Sequence, residues 1–124
     1  EQASPVQIIE LLMDGLVDQL AAARGHMERG HVALKGEAIG RAMGILSGLQ
    51  HSLDPDQGGE LAANLDGLYD YMQRRLAYAN LTDNGPVLEE IQALSARLRG
   101  AWSEIAGREQ PGEGAAARAT DARF

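Results

Sequence analysis

The chain has 124 residues, 44% hydrophobic and 4% aromatic, with a formal charge of −7 and no cysteine. That length supports one domain with a real core, and a core built mostly from Leu, Ala, Ile and Met favours helices over strands. The acidic excess argues against nucleic-acid binding, which needs Lys and Arg to neutralise phosphates. The missing cysteine removes disulfides and thiolate chemistry and fits a reducing cytosol. No apolar run reaches the roughly 18 residues of a membrane span. The first residue is Glu1 rather than Met, so residues upstream are expected, and no signal peptide is expected.

Ser4-Pro5 reads as a helix start, with Ser as N-cap and Pro in the first turn. Ile9, Met13, Leu16, Leu20, Ala23 and Met27 follow at steps of three and four, one stripe of an amphipathic helix that Gly30 closes. A second helix is expected from about Val32 to Leu53, with Ile39, Ala42, Met43, Leu46, Leu49 and Leu53 as its stripe. It stops at Asp54-Pro55, because proline disfavours helical geometry in the residue before it. Gly58-Gly59 then reads as a flexible turn. A third helix is expected from about Glu60 to Asn80, with Leu61, Leu65, Leu68, Met72, Leu76 and Ala79 facing the core. Thr82 to Pro86 is a dense breaker cluster, after which a fourth helix carries Leu88, Ile91, Leu94, Leu98, Trp102 and Ile105. Four such helices with short connections make an all-α, antiparallel up-down four-helix bundle over residues 1–106. Residues 107–124 are small, polar and charged and read as a disordered tail.

Two helices carry more apolar surface than one stripe. On the first, Ile8 and Leu11 fall outside the arc of Ile9, Met13, Leu16 and Leu20. With Leu12 they either flank a wide stripe or line a groove for another helix. On the third, Tyr71 and Tyr78 are seven residues apart on a line that Asn64 extends, about 100° from the core centre, and Tyr69 sits on the opposite flank. Tyrosine gives large contact area at low entropy cost, so the ladder reads as an interface, although each ring could equally cover a bundle edge. Arg75 beside them reads as solvated or carboxylate-bound rather than catalytic. Gly36, Gly40, Gly44 and Gly48 form a ridge without side chains on the second helix. It is either a soft solvent face or a surface for close approach of another backbone.

Catalytic chemistry is missing. His26, His31 and His51 form no metal-ligating pair on one helix face, so no metal site is expected. There is no calcium loop, no phosphate-binding glycine motif and no nucleophile elbow. The residues alone therefore point to a helical bundle that binds another helix or itself; an enzyme would need an internal polar site, and these stripes are apolar.

One long segment goes further. Ser52-Leu53-Asp54, Gly58-Gly59-Glu60-Leu61-Ala62, Asn64-Leu65, Leu68-Tyr69-Asp70-Tyr71-Met72, Arg75-Leu76, Ala79-Asn80 and Ala101-Trp102, with the start Ala3-Ser4-Pro5 and Leu11-Leu12-Met13-Asp14-Gly15, resemble the flagellin-specific export chaperones, the FliS family. Met13 stands where that family usually has tyrosine, and the family's short N-terminal segment, which caps a hydrophobic groove and helps docking at the export gate, is expected to be missing here. The resemblance implies a cytoplasmic, non-enzymatic chaperone of flagellar type III secretion without cofactor. It would bind the disordered C-terminal segment of flagellin one-to-one and prevent its premature polymerisation. It would hand the client over through the export-gate protein FlhA, with other flagellar proteins as further partners. Partner-binding candidates are Ile8, Leu11, Leu12, Asn64, Tyr69, Tyr71, Arg75 and Tyr78. The alternative is a self-associating regulatory or structural bundle, including a homodimer through the exposed groove.

Overall fold

A computed structural model describes residues 4–108. It consists of four helices in chain order: α1 (Pro5–Glu28), α2 (Val32–His51), α3 (Pro55–Thr82) and α4 (Gly85–Arg108). Each helix packs on its neighbours in the chain, and α4 returns to α1, closing a ring of four. Side-chain contacts fix the antiparallel sense. Trp102 near the end of α4 donates to the Val6 carbonyl at the start of α1 (3.4 Å). Arg24 near the end of α1 reaches Gln92 (3.2 Å) and Glu89 (3.3 Å) near the start of α4. The expected up-down bundle is the observed one. The expected tail from 107 onwards lies outside the described residues except for Gly107 and Arg108, which continue α4.

The helix ends follow from local chemistry. Ser4 caps α1 in a reciprocal box: its hydroxyl accepts from the Gln7 amide (3.2 Å), and the Gln7 side chain accepts from the Ser4 amide (2.9 Å). At the other end Gly30 takes φ 74°, so that the His31 amide bonds the His26 carbonyl (2.9 Å) and the Gly30 amide bonds that of Met27 (3.1 Å). This paired closure requires a left-handed residue, and glycine adopts that conformation without a Cβ penalty.

Two boundaries differ from expectation. α2 ends at His51, and α3 begins at Pro55 rather than Glu60. Pro55 does not merely stop α2; it is the first residue of α3, and the Asp54 carboxylate caps it by accepting from the Asp56 (3.0 Å) and Gln57 (3.3 Å) amides. The chain then kinks at Gly59, with φ 53° and ψ −126°, and continues helical. Gly58-Gly59 is therefore a kink within α3 and not a loop before it.

The core is formed by Leu16, Leu20, Ile39, Leu46, Leu49, Met72, Leu76, Leu88 and Ile91, all essentially solvent-free. α3 is rotated relative to the expected stripe. Ala62, Tyr69, Met72, Leu76 and Ala79 are buried, whereas Leu65 and Leu68 are half-buried and Leu61 is exposed. Tyr69, expected on a flank, is only 3% exposed. Ala62, Tyr69 and Leu76 are seven residues apart and form one line along α3. That line faces inward because α2 and α4 take the two sides of the helix. Gly40, Gly44 and Gly48 face open space, so this part of the glycine ridge is a solvent face.

One polar group inside the bundle ties α2 to the end of α3 and to the turn that follows it. Lys35 on α2 is 3% exposed. Its ammonium donates to the Asn80 carbonyl (3.1 Å) at the end of α3 and to the Asp83 carboxylate (2.8 Å) in the α3–α4 turn. Asp83 itself holds φ 53°, a conformation that Asp and Asn tolerate better than most residues. Replacing the carboxylate by an amide leaves the buried ammonium with neutral acceptors and no counter-charge. Asp83→Asn, which keeps the turn geometry, is expected to cost about 1–2 kcal/mol. Lys35→Met, which fills the same space without a charge, is expected to stay within about 1 kcal/mol of the parent. Urea denaturation of both variants checks this order.

Candidate functional site

α3 and α4 make the sparsest contact of the four neighbouring pairs. Where α1 and α3 begin and α2 and α4 end, this opening becomes an apolar cavity of about 170 Å³. Its walls come from all four helices and the turn between α2 and α3: Ile9 and Met13, Leu49 and Leu53, Leu61, Leu65 and Tyr69, and Leu98, Trp102 and Ile105. The α3 side of its mouth is Leu61, 48% exposed. A cavity of this lining has no internal hydrogen-bonding demand beyond a few polar atoms at its rim, so apolar matter fills it more favourably than water does.

Above the cavity the α3–α4 seam is bridged by a polar cluster. Tyr71 donates from its hydroxyl to Glu90 Oε2 (2.6 Å). Glu90 Oε1 lies 3.9 Å from Arg75 Nε. The Arg75 guanidinium sits over the Tyr78 ring, 5.1 Å from its centroid. The short bond to Glu90 raises the Tyr71 pKa above the ordinary tyrosine value, because ionising the phenol would place its charge against the carboxylate; the Arg75 charge opposes this only in part. Tyr69 is pushed up to about 12 by burial alone.

The candidate residues thus fall in three places rather than on one surface. Tyr71, Arg75 and Tyr78 meet around Glu90 on the side of α3 that faces α4. Asn64 is exposed further down the same helix, and Tyr69 is turned inward, where it forms cavity wall. Ile8 and Leu12 belong to another face. They share a helix line with Gly15, which faces Ile45, so they run along the α1–α2 edge. Leu12 packs on the core there, while Ile8 and Leu11 (65% exposed) stay in solvent. Leu61, Leu65, Leu98, Trp102 and Ile105 read from sequence as core positions, and Glu90 carries no sequence signal of a role in the seam. The available signal is the width of the apolar arc on α3, which exceeds what its two neighbours cover. Among the described residues, no group of three His, Cys, Asp or Glu is placed to hold a metal ion, and no helix is long and apolar enough to cross a membrane.

The two perturbed tyrosines give a pH signature. Both folded-state pKa values lie above the ordinary value, so their contribution to stability is complete below about pH 10 and is lost as the pH rises through the folded-state values, about 12 in the case of Tyr69. Spectroscopic titration of tyrosinate is expected to show Tyr69 ionising late, together with alkaline unfolding. Glu90→Gln is expected to bring Tyr71 back towards the ordinary value and leave Tyr69 unmoved.

Comparison with known proteins places this geometry in a family. Residues 1–109 match the family described as flagellar protein FliS. The chain is 47% identical over 103 residues to the flagellar secretion chaperone FliSB of Pseudomonas aeruginosa, covering 83% of this chain and 82% of that protein. It is 46% identical over 104 residues to the flagellar secretion chaperone FliS of Salmonella typhimurium, covering 83% and 77%. With the FliS of Vibrio cholerae it shares 33% identity over 103 residues, covering 83% and 76%. An all-helical bundle with an open apolar seam, matched along nearly all of its described length, this chain belongs to the FliS family of flagellar secretion chaperones.

Proposed function

We propose that this bundle binds the C-terminal segment of flagellin one-to-one, as helix laid into the α3–α4 seam with apolar side chains in the end cavity. The observation that carries this reading is the cavity itself: an apolar opening between helices, continuous with exposed leucine on α3, in a member of a secretion-chaperone family. Helix-in-groove recognition needs such a trough, with pockets for residues at steps of three and four. A segment that is disordered when alone orders on the bundle and is thereby withheld from polymerisation until export. The chaperone acts in the cytoplasm by binding alone, without catalysis or cofactor, and presents its client to the export-gate protein FlhA.

Calorimetric titration with a peptide covering the flagellin C-terminal segment tests this. Expected is one-to-one binding with a large negative heat-capacity change, the signature of apolar burial coupled to folding. Trp102, the chain's single tryptophan and part of the cavity wall, is expected to change its fluorescence on saturation. Leu61→Glu puts a charge at the cavity mouth on a side chain that is half in solvent. It is expected to leave the thermal midpoint nearly unchanged and to weaken the peptide by about tenfold or more, roughly 1.4 kcal/mol per factor of ten. No binding by the folded parent, together with concentration-dependent dimerisation, would instead favour a self-associating bundle.

A further inference from the structure

Leu61, Leu68 and Arg75 are seven residues apart and therefore lie on one line along the α4-facing edge of α3. The line starts at the cavity mouth and ends at a cation. Leu65 in the cavity wall and Arg75 lie about 15 Å apart along the helix, or nearly three turns. A client helix seated on the cavity and following the seam reaches Arg75 within that length.

Arg75 is not fully satisfied where it stands. Its Nε is buried and makes no hydrogen bond. The nearest anion, Glu90, accepts its short bond from Tyr71 and leaves its other oxygen 3.9 Å from Arg75 Nε, beyond hydrogen-bond length. The guanidinium carbon lies 5.1 Å from the centre of the Tyr78 ring, a contact that helps keep it in place before any ligand arrives. The neighbouring Arg74 differs: it is already paired with Asp70 at 2.9 Å. The Arg75 side chain is 35% exposed, so its accessible terminal nitrogens are suited to a planar, two-oxygen acceptor.

We infer that Arg75 receives a carboxylate of the bound client and is the residue that fixes the client's register along the seam. This rests on the client reading above. The apolar cavity would accept many helices in several registers, because leucine-sized side chains at steps of three and four are interchangeable. A carboxylate that must meet one guanidinium admits only one of them.

The test is titration of the parent, Arg75→Gln and Arg75→Lys with the flagellin C-terminal peptide at low and high salt. A peptide set in which each Asp or Glu is replaced by Asn or Gln, and one with an amidated C-terminus, is run in parallel. Arg75→Gln is expected to lose roughly tenfold in affinity at low salt, with a smaller loss at high salt. Arg75→Lys is expected to recover part of it, since it keeps the charge without the fork. One neutralised peptide should show the same loss on the parent and none on Arg75→Gln. Which peptide does so tells a side-chain carboxylate from the terminal one. Thermal midpoints confirm that the variants are folded. If Arg75→Gln binds within twofold of the parent, or if its loss adds fully to that of every neutralised peptide, the inference is wrong although the client reading stands. If the folded parent binds no peptide, the client reading fails and the inference falls with it.

Discussion

The structure depends on a mismatch between the apolar arc of α3 and the cover its two neighbours supply. α2 packs closely along one side of that arc, and α4 covers the other side only in part. In a symmetric bundle each helix buries one stripe and shows a polar back. Here the residue line Leu61 to Leu68 is left at the rim, and the opening it borders widens into the cavity at one end. Apolar surface in contact with water is a standing source of binding free energy, about 25 cal/mol for each Å² that a partner covers. A protein that holds another chain needs that reserve, and it comes at the expense of the fourth helix contact.

The opposite end of the bundle is built to stay closed. The α1–α2 turn, the Lys35 contacts and the α3–α4 turn lie together there. Lys35 binds the Asn80 carbonyl near the end of α3 and the Asp83 carboxylate in the following turn at once, so α2 cannot part from that end of α3 without stranding a charge. Glu90 and Tyr71 add a bridge part of the way along the seam. The bundle is pinned at one end and open at the other.

Much of this is legible in the residues, and the limits have physical reasons. α1 can be read in full, from Ser4 to Gly30, because capping and glycine closure are local. Pro55 is ambiguous: the same residue ends one helix and opens the next, and only the Asp54 cap decides where α3 begins. Leu68 and Tyr69 are both apolar neighbours, about 100° apart on the helix, and which of them enters the core depends on where α2 and α4 stand. Lys35 gives no signal at all, since its partner Asp83 is 48 residues away and its burial is a property of the assembled bundle. The width of the α3 arc announces a binding surface, and the segment resemblance announces the family. The cavity is invisible for a simpler reason: it consists of what four helices fail to fill, and no single helix records that.

The kink at Gly59 has a consequence for which residues this position accepts. Its φ and ψ lie where only glycine is comfortable, and the residues on either side of it, Leu53 before and Leu61 after, belong to the cavity lining. The turn from α2 into α3 thus carries cavity lining on both sides of a conformation that suits glycine. A β-carbon at position 59 would be strained in that conformation, so the joint between the α2 and α3 walls of the cavity is reserved for glycine.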